Sequence, residues 1–389
     1  MKSFIHGILP SMLLSMAVGQ IYAFTNFAGE ISQKIDAPLA VVQIAFSLGI
    51  FFLGMGAAFF GKFVEKDIKG ATFLGTFLFI AGLLCSQAAV SCKSLALLYV
   101  GYGCLLGLGT GTIYITPVKT MMMWLPKHKA VASAVPIVFF GLGSTLSSLL
   151  FPLFMKTGIG KVFIYYAVLY LAMMIAASFL LKKPENYDIS TAKGSSDFKY
   201  SNILKDGFFI KAWLFMFLNI SAGLSLIPLS RQLMQSDRIA YSSAAIGTYI
   251  ALAGIFNGAG RLIFAWTADR LKTRLNIILP ILGDSILAIF LCLFLPKAFG
   301  ISLLIINACY GAGFSVIPSI LSDKFGMNDI SKIHGAVLSA WGIAGLIGNN
   351  MSIAVNSKFG WTGVFIMLIV MYGLNLINWL SMRTQKAAL

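Results

Sequence analysis

AAIGTYIALAGIFNGAGRLIFAWT, Ala244 to Thr267, is an apolar run of 24 residues broken by one permanent charge, Arg261. A helix crossing the hydrocarbon of a bilayer needs about 20 mostly apolar residues, so the run reads as a membrane span. Insertion measurements put a central arginine at roughly 2.5 to 3.5 kcal/mol, and simulations go higher. A cation kept at that cost reads by default as functional, facing a polar cavity. Asn257 stands at i, i+4 to Arg261 and shares its helix face; Gly254 and Gly258 leave space on that side. An amide beside a guanidinium suits a carboxylate, because arginine offers a planar fork of donors to two oxygens. The alternative is structural, with Arg261 bonded to a carbonyl or carboxylate at a helix interface. Asp269 is about 12 Å further along such a helix, too far for an easy bond.

The same length rule, applied outward, yields twelve segments: approximately 5–28, 40–61, 71–91, 95–118, 130–154, 162–181, 208–229, 242–267, 276–295, 299–320, 333–355 and 361–381. The expected fold is an all-α membrane protein of twelve transmembrane helices in two pseudo-symmetric six-helix bundles. The loops are short except for KKPENYDISTAKGSSDFKYSNILKD, Lys182 to Asp206, which is polar and has no apolar period. It divides the chain into a first bundle (1–181), a linker (182–206) and a second bundle (207–389).

Composition agrees. Of the 389 residues, 58% are hydrophobic and 11% charged, against about 25% charged in soluble domains. The net charge of +16 raises the idea of a nucleic-acid partner. Its lysines and arginines, however, are scattered through short loops, a pattern of orientation signals beside a negative inner leaflet. With a cytoplasmic N-terminus, that side carries 20 lysines and arginines, the other side 8, and Arg261 completes the 29. The positive-inside rule therefore expects both termini and the central loop in the cytoplasm, and the protein in the cell (inner) membrane. The start, Met1 to Ala28, is longer than a signal-peptide core and reads as the first span.

The halves echo each other. Phe60 with Glu65-Lys66 recurs as Phe264 with Asp269-Arg270, and Gly141-Leu142 as Gly345-Leu346, both at an offset of 204; Pro117 matches Pro318 at 201. Two six-helix repeats are the reading, and transporters built from repeats place substrate near the midplane.

Few other residues offer chemistry. Lys119, about two turns inside the cytoplasmic edge of the fourth helix, could add positive field to a cavity; snorkelling to the interface is the blander reading. Asp284, a carboxylate inside the ninth segment, could carry a proton, offset Arg261 or make a structural pair. His334, opening the eleventh helix, could titrate near neutral pH or serve as a helix-end residue. Gln20, Tyr22, Asn26 and Tyr114 lie in the first and fourth helices; the tyrosines could cap a small anion or satisfy a neighbouring helix. Five cysteines without CxxC spacing, and no His/Cys/carboxylate cluster, imply packing residues and no metal. The glycine-rich run Gly101 to Gly111 lacks the G-x-G-x-x-G spacing and reads as close helix packing. Gly160-Lys161 is no nucleotide loop, because Met155 occupies the first glycine position. No cofactor is expected, and no nucleophile–base set points to an enzyme. Asn219-Ile-Ser matches a glycosylation pattern but falls within a membrane helix.

The loops Gly61-Lys-Phe-Val-Glu-Lys-Asp and Ala265-Trp-Thr-Ala-Asp-Arg-Leu-Lys-Thr-Arg resemble the signature loops of the major facilitator superfamily. Gly19-Gln-Ile-Tyr-Ala-Phe, Met123-Trp-Leu-Pro-Lys-His-Lys, Asn257-Gly-Ala-Gly-Arg261, Pro318 with Asp323-Lys-Phe-Gly, and Ala340-Trp-Gly-Ile-Ala-Gly resemble its oxalate/formate antiporter family, a monocarboxylate-transporter-like group. That resemblance covers nearly the whole chain and implies transport of small carboxylates. It also implies that the oxalate-transporting member uses an arginine in the eighth helix and a lysine in the eleventh. Arg261 matches the first. Trp341 stands at the position resembling the second, so one cation is missing, and a monocarboxylate fits better than a dicarboxylate.

The expectation is a secondary active transporter of a small organic anion, a monocarboxylate foremost, by alternating access with proton symport or anion exchange. Arg261, Asn257, Tyr22, Gln20, Tyr114, Trp341 and Lys119 are its candidate substrate-binding residues; Asp284 and His334 are its proton-coupling candidates. Its partners are the anion, a proton and the lipid bilayer, and the chain acts as a monomer. Efflux of amphipathic compounds and a non-transporting solute sensor are the rival readings.

Overall fold

The structure, a computed structural model, describes residues 2–184, 200–227 and 229–387. Most of the expected linker, 185–199, therefore lies outside the described residues. Among those described, every regular element is helical. Eleven helical segments are long and apolar enough to cross a membrane: Phe4–Ile35 (α1), Leu39–Lys66 (α2), Ile68–Ser91 (α3), Leu95–Trp124 (α4), Lys129–Met155 (α5), Ile159–Leu180 (α6), Gly207–Leu226 (α7), Ser243–Arg270 (α8), Arg274–Phe294 (α9), Pro296–Phe325 (α10) and Ile330–Thr384. The last is 55 residues long. It is two helices joined at Gly360, whose φ of 64° and ψ of −173° no helix contains. Glycine reaches that conformation without the Cβ clash other residues meet. The part before Gly360 is α11 and the part after is α12, so twelve crossings result.

Lipid explains why these segments are helices. A backbone N–H or C=O left unpaired in hydrocarbon costs several kcal/mol, and a helix pairs nearly all of its own. The first turns need outside acceptors. Asp67 supplies one to the Gly70 N–H at 3.0 Å, Asp206 to Phe208 and Phe209 at 2.8 and 2.9 Å, and Ser242 to Ala245 at 3.3 Å. Large apolar side chains stand outward, Phe59 at 71% and Leu149 at 74% exposed, as a lipid-facing surface allows.

Helix contacts group the chain into two compact units: Met1–Asp197 with Leu321–Gly342, and Phe198–Ile320 with Ile343–Leu389. The division expected from sequence, 1–181 against 207–389, contains no such excursion. The physical reason for it is glycine packing. A Cβ at Gly54 of α2 would lie 2.6 Å from the Gly342 nitrogen and 2.7 Å from the Leu338 carbonyl oxygen, and one at Gly335 would lie closer still to the Ala57 carbonyl oxygen. The first turns of α11 thus lie backbone to backbone on α2. Gly101 to Gly111 performs the packing expected of it, bringing α4 onto α2 and α3.

In the second unit, α12 is tied by side chains to backbone. Trp379 donates its indole N–H to the Leu275 carbonyl at 3.0 Å, and Asn375 its amide to the Phe215 carbonyl at 3.1 Å. Two helices are not uniformly wound. α1 opens with a π turn, Phe4–Ile8, and tightens to 3₁₀ at Gly19–Ala23; α4 carries a π turn at Tyr99–Leu105. Such irregular windings redirect side chains within a helix. Gln20 and Tyr22 lie in the 3₁₀ turn of α1.

Candidate functional site

Arg261 and Asn257 meet on α8 as their spacing requires. The Arg261 Nε donates to Asn257 Oδ1 at 3.0 Å, and both residues are half-buried. Across from them on α10, the Phe314 ring faces the guanidinium, 5.8 Å from ring centre to Cζ. Tyr310 stands edge-on to Phe314 at 5.3 Å. Ser315 donates its hydroxyl to the Arg261 carbonyl at 3.0 Å, pinning the backbone. Gly311 gives the pair its room, since a Cβ there would lie 3.1 Å from both Arg261 Cγ and Asn257 Oδ1. Asp269 pairs instead with Arg274, at 2.9 Å. The result is a cation held by an amide on one side and faced by an aromatic ring on the other.

Asn219 of α7 belongs to the same unit, and the sequence reading missed it. It is fully buried against Gly313, and neither amide atom has a hydrogen-bond partner among the described residues. A buried amide with both ends unmet costs on the order of 1–3 kcal/mol. Its only sequence signal is an asparagine inside an apolar run, the one dismissed above as a glycosylation pattern.

The first unit holds a second cluster. The Tyr22 and Trp341 rings stack at 6.4 Å with planes 23° apart. Tyr114 meets Trp341 edge-on at 5.4 Å, and Phe140 packs on Tyr22, Tyr114 and Trp341 at 5.6, 5.2 and 6.0 Å. His334 is buried, its ring 6.4 Å from that of Tyr114. Gln20, fully buried in the 3₁₀ turn of α1, lies beside Tyr102. Edge-to-face and offset rings pack firmly, contributing about 0.5–1.5 kcal/mol per pair beyond burial. Trp341, Tyr22, Tyr114 and His334 are thus brought together, although they come from α1, α4 and α11.

Lys119 departs from the snorkelling expectation. Its side chain is only 5% exposed and pairs with Glu65 of α2, itself 9% exposed. The other Glu65 oxygen accepts the Ser331 backbone N–H at 3.0 Å, in the first turn of α11. Asp329 and Lys332 pair in the same turn at 2.5 Å. The Lys119 charge is therefore matched locally by a carboxylate. Asp284 is exposed on α9 and joins neither cluster. The cysteines Cys85, Cys92, Cys104, Cys292 and Cys309 are all free thiols. Among the described residues no three His, Cys, Asp or Glu side chains gather as a metal site would require.

Comparison with known proteins adds to this geometry. The sequence model described as Major Facilitator Superfamily matches residues 8–349. The chain is 25% identical over 353 residues to the uncharacterized MFS-type transporter YhjX of Escherichia coli (strain K12), covering 87% of this chain and 85% of that one. It is also 25% identical over 371 residues to the oxalate:formate antiporter of Oxalobacter formigenes, covering 93% and 87%. In fold it matches a bacterial homologue of the iron transporter ferroportin in an outward-facing state, with a TM-score of 0.75 at 14% identity over 97% of this chain and 98% of that one.

Proposed function

Because the chain belongs to the major facilitator superfamily, we propose that it is a secondary transporter of a small organic anion carrying one carboxylate. The observation that carries this reading is the Arg261–Asn257 pair under Phe314. Arg261 binds the carboxylate through its planar donors, and Asn257 holds the guanidinium plane by accepting from Nε. An anchor of one cation suits one carboxylate, and Trp341 supports that choice. At the place where the family resemblance puts a lysine, this chain has an indole packed among Tyr22, Tyr114 and Phe140. The relative named for oxalate and formate supports the substrate class.

In this reading the two six-helix repeats rock to expose the site alternately to either side of the cell membrane, with both termini cytoplasmic and the chain acting as a monomer. An anion entering alone would move against an inside-negative potential, so entry is coupled to a proton or exchanged for another anion. His334 and Asp284 are the proton carriers offered by the sequence. The other binding candidates of the sequence, Gln20, Tyr22, Tyr114 and Trp341, lie in the first unit, and Lys119 is paired there with Glu65.

Uptake of labelled formate, lactate and pyruvate into proteoliposomes tests the proposal. Wild type is expected to accumulate at least one of them, and Arg261→Ala to reduce uptake more than tenfold at equal protein. Normal uptake by Arg261→Ala would remove the anchor, and activity on organic cations would favour efflux of amphipathic compounds.

A further inference from the structure

A cavity of about 230 Å³ opens where the α2–α3 turn meets the residues that follow α6. Its lining brings Lys66 and Lys69 together with Lys182 and Lys183, over Thr120 of α4. The one opposing charge, Asp67, is already engaged as the cap of α3, accepting from the Gly70 N–H at 3.0 Å. The balance of these side chains is strongly positive.

Lys182 is held in place by its backbone. Lys182 donates its N–H to the His6 carbonyl at 3.1 Å and accepts the Trp124 indole N–H at 3.0 Å. His6 Nδ1 is 2.9 Å from the Leu180 carbonyl oxygen. The end of α6 is thus strapped to α1 and α4, and Lys182-Lys183 projects from a fixed point beside the α2–α3 turn. Those two places follow even-numbered crossings, so they share one face of the membrane. The excess of lysine and arginine assigns that face to the cytoplasm, where anionic phospholipids concentrate.

We propose that this cavity is a binding site for a phosphate-bearing anion at the cytoplasmic membrane surface. Lys66, Lys69, Lys182 and Lys183 supply point charges to its oxygens, and the headgroup of an anionic phospholipid is the source that its place at the bilayer edge favours. Its lining does not include Arg261, and it does not depend on the identity of the transported solute.

Purified full-length protein in detergent, titrated with short-chain phosphatidylglycerol, tests it by native mass spectrometry and by thermal unfolding. Wild type is expected to retain the lipid and to unfold at a higher temperature with it. Lys182→Ala/Lys183→Ala should bind about 30-fold more weakly. That variant keeps both backbone bonds of Lys182, and an unchanged size-exclusion profile confirms its fold; if it fails to fold, Lys66→Ala/Lys69→Ala serves in its place. A parallel titration with inorganic phosphate separates the sources: a response to lipid alone assigns a headgroup, and a response to both assigns the phosphate group itself. The proposal fails if phosphatidylcholine stabilises wild type as well as phosphatidylglycerol does, or if the lysine variant binds like wild type.

Discussion

Glu65 accepts the backbone N–H of Ser331 at 3.0 Å, joining residues 266 positions apart. Its other oxygen holds Lys119. One carboxylate therefore satisfies a buried ammonium and an orphan donor at the start of a helix, where backbone N–H groups carry a partial positive charge.

Glu65→Gln is expected to keep the bond to Ser331 and lose the charge opposite Lys119. Breaking a buried ion pair from one side costs about 3–5 kcal/mol, because a charge remains unmatched. Thermal unfolding in detergent should show a marked loss. The double variant Glu65→Gln/Lys119→Met, which keeps an acceptor for the Ser331 N–H, should recover most of it; an equally unstable double variant would show that the pair is not the source.

Asn257→Ala removes the acceptor of the Arg261 Nε. Hydrogen bonds to charged groups contribute about 1.5–3 kcal/mol. The carboxylate KM in proteoliposomes should rise by roughly tenfold to a hundredfold, with maximal flux retained in part. An unchanged KM would assign the amide a packing role.

Trp341→Lys places a second cation at the position of the indole. Competition between oxalate and formate should move toward oxalate, with a loss of stability from the broken ring contacts with Tyr22, Tyr114 and Phe140. An unaltered preference would mean that this position does not set substrate charge.

Gly311→Ala puts a methyl group against the Asn257 carbonyl and the Arg261 side chain. Overpacking of this kind costs about 1–3 kcal/mol, here concentrated on the anchor, so uptake should fall severalfold or more. Gly254→Ala and Gly258→Ala meet nothing within 4 Å and should transport normally. Equal losses at all three positions would point to general helix disruption.

His334→Gln separates the coupling modes. If His334 carries the proton, an imposed pH gradient should no longer stimulate uptake, while exchange of one anion for another persists. Asp284→Asn, altered at an exposed position of α9, should leave the gradient response intact. The opposite pattern would move the proton to α9.

Local chemistry made much of this legible from the sequence. The twelve crossings follow from apolar length, because the bilayer enforces it at every segment independently. Arg261 and Asn257 follow from helical spacing, which needs no knowledge of neighbours. The partners of Lys119 and Trp341 did not follow. Glu65 is 54 residues from Lys119, and Trp341 meets rings from three other helices. Apolar helices that all satisfy the same lipid rule carry little local signal of which faces adjoin. Asn219 escaped for the same reason: an amide in an apolar run reads alike whether it is lipid-facing, paired or unmet. The grouping of 321–342 with the first unit depends on glycines whose role appears only once a backbone lies against them.

The Lys119–Glu65 pair has an electrical consequence. Two opposite charges held together add nothing to the net charge crossing the membrane field, so Arg261 decides the sign at the proposed anchor. Bound to a monocarboxylate, that anchor becomes neutral, and voltage acts chiefly on the empty carrier. Each elementary charge moved through 100 mV is worth about 2.3 kcal/mol. A carrier of this design would show its voltage dependence in the return stroke, and a second carboxylate on the substrate would make the loaded stroke voltage-dependent as well.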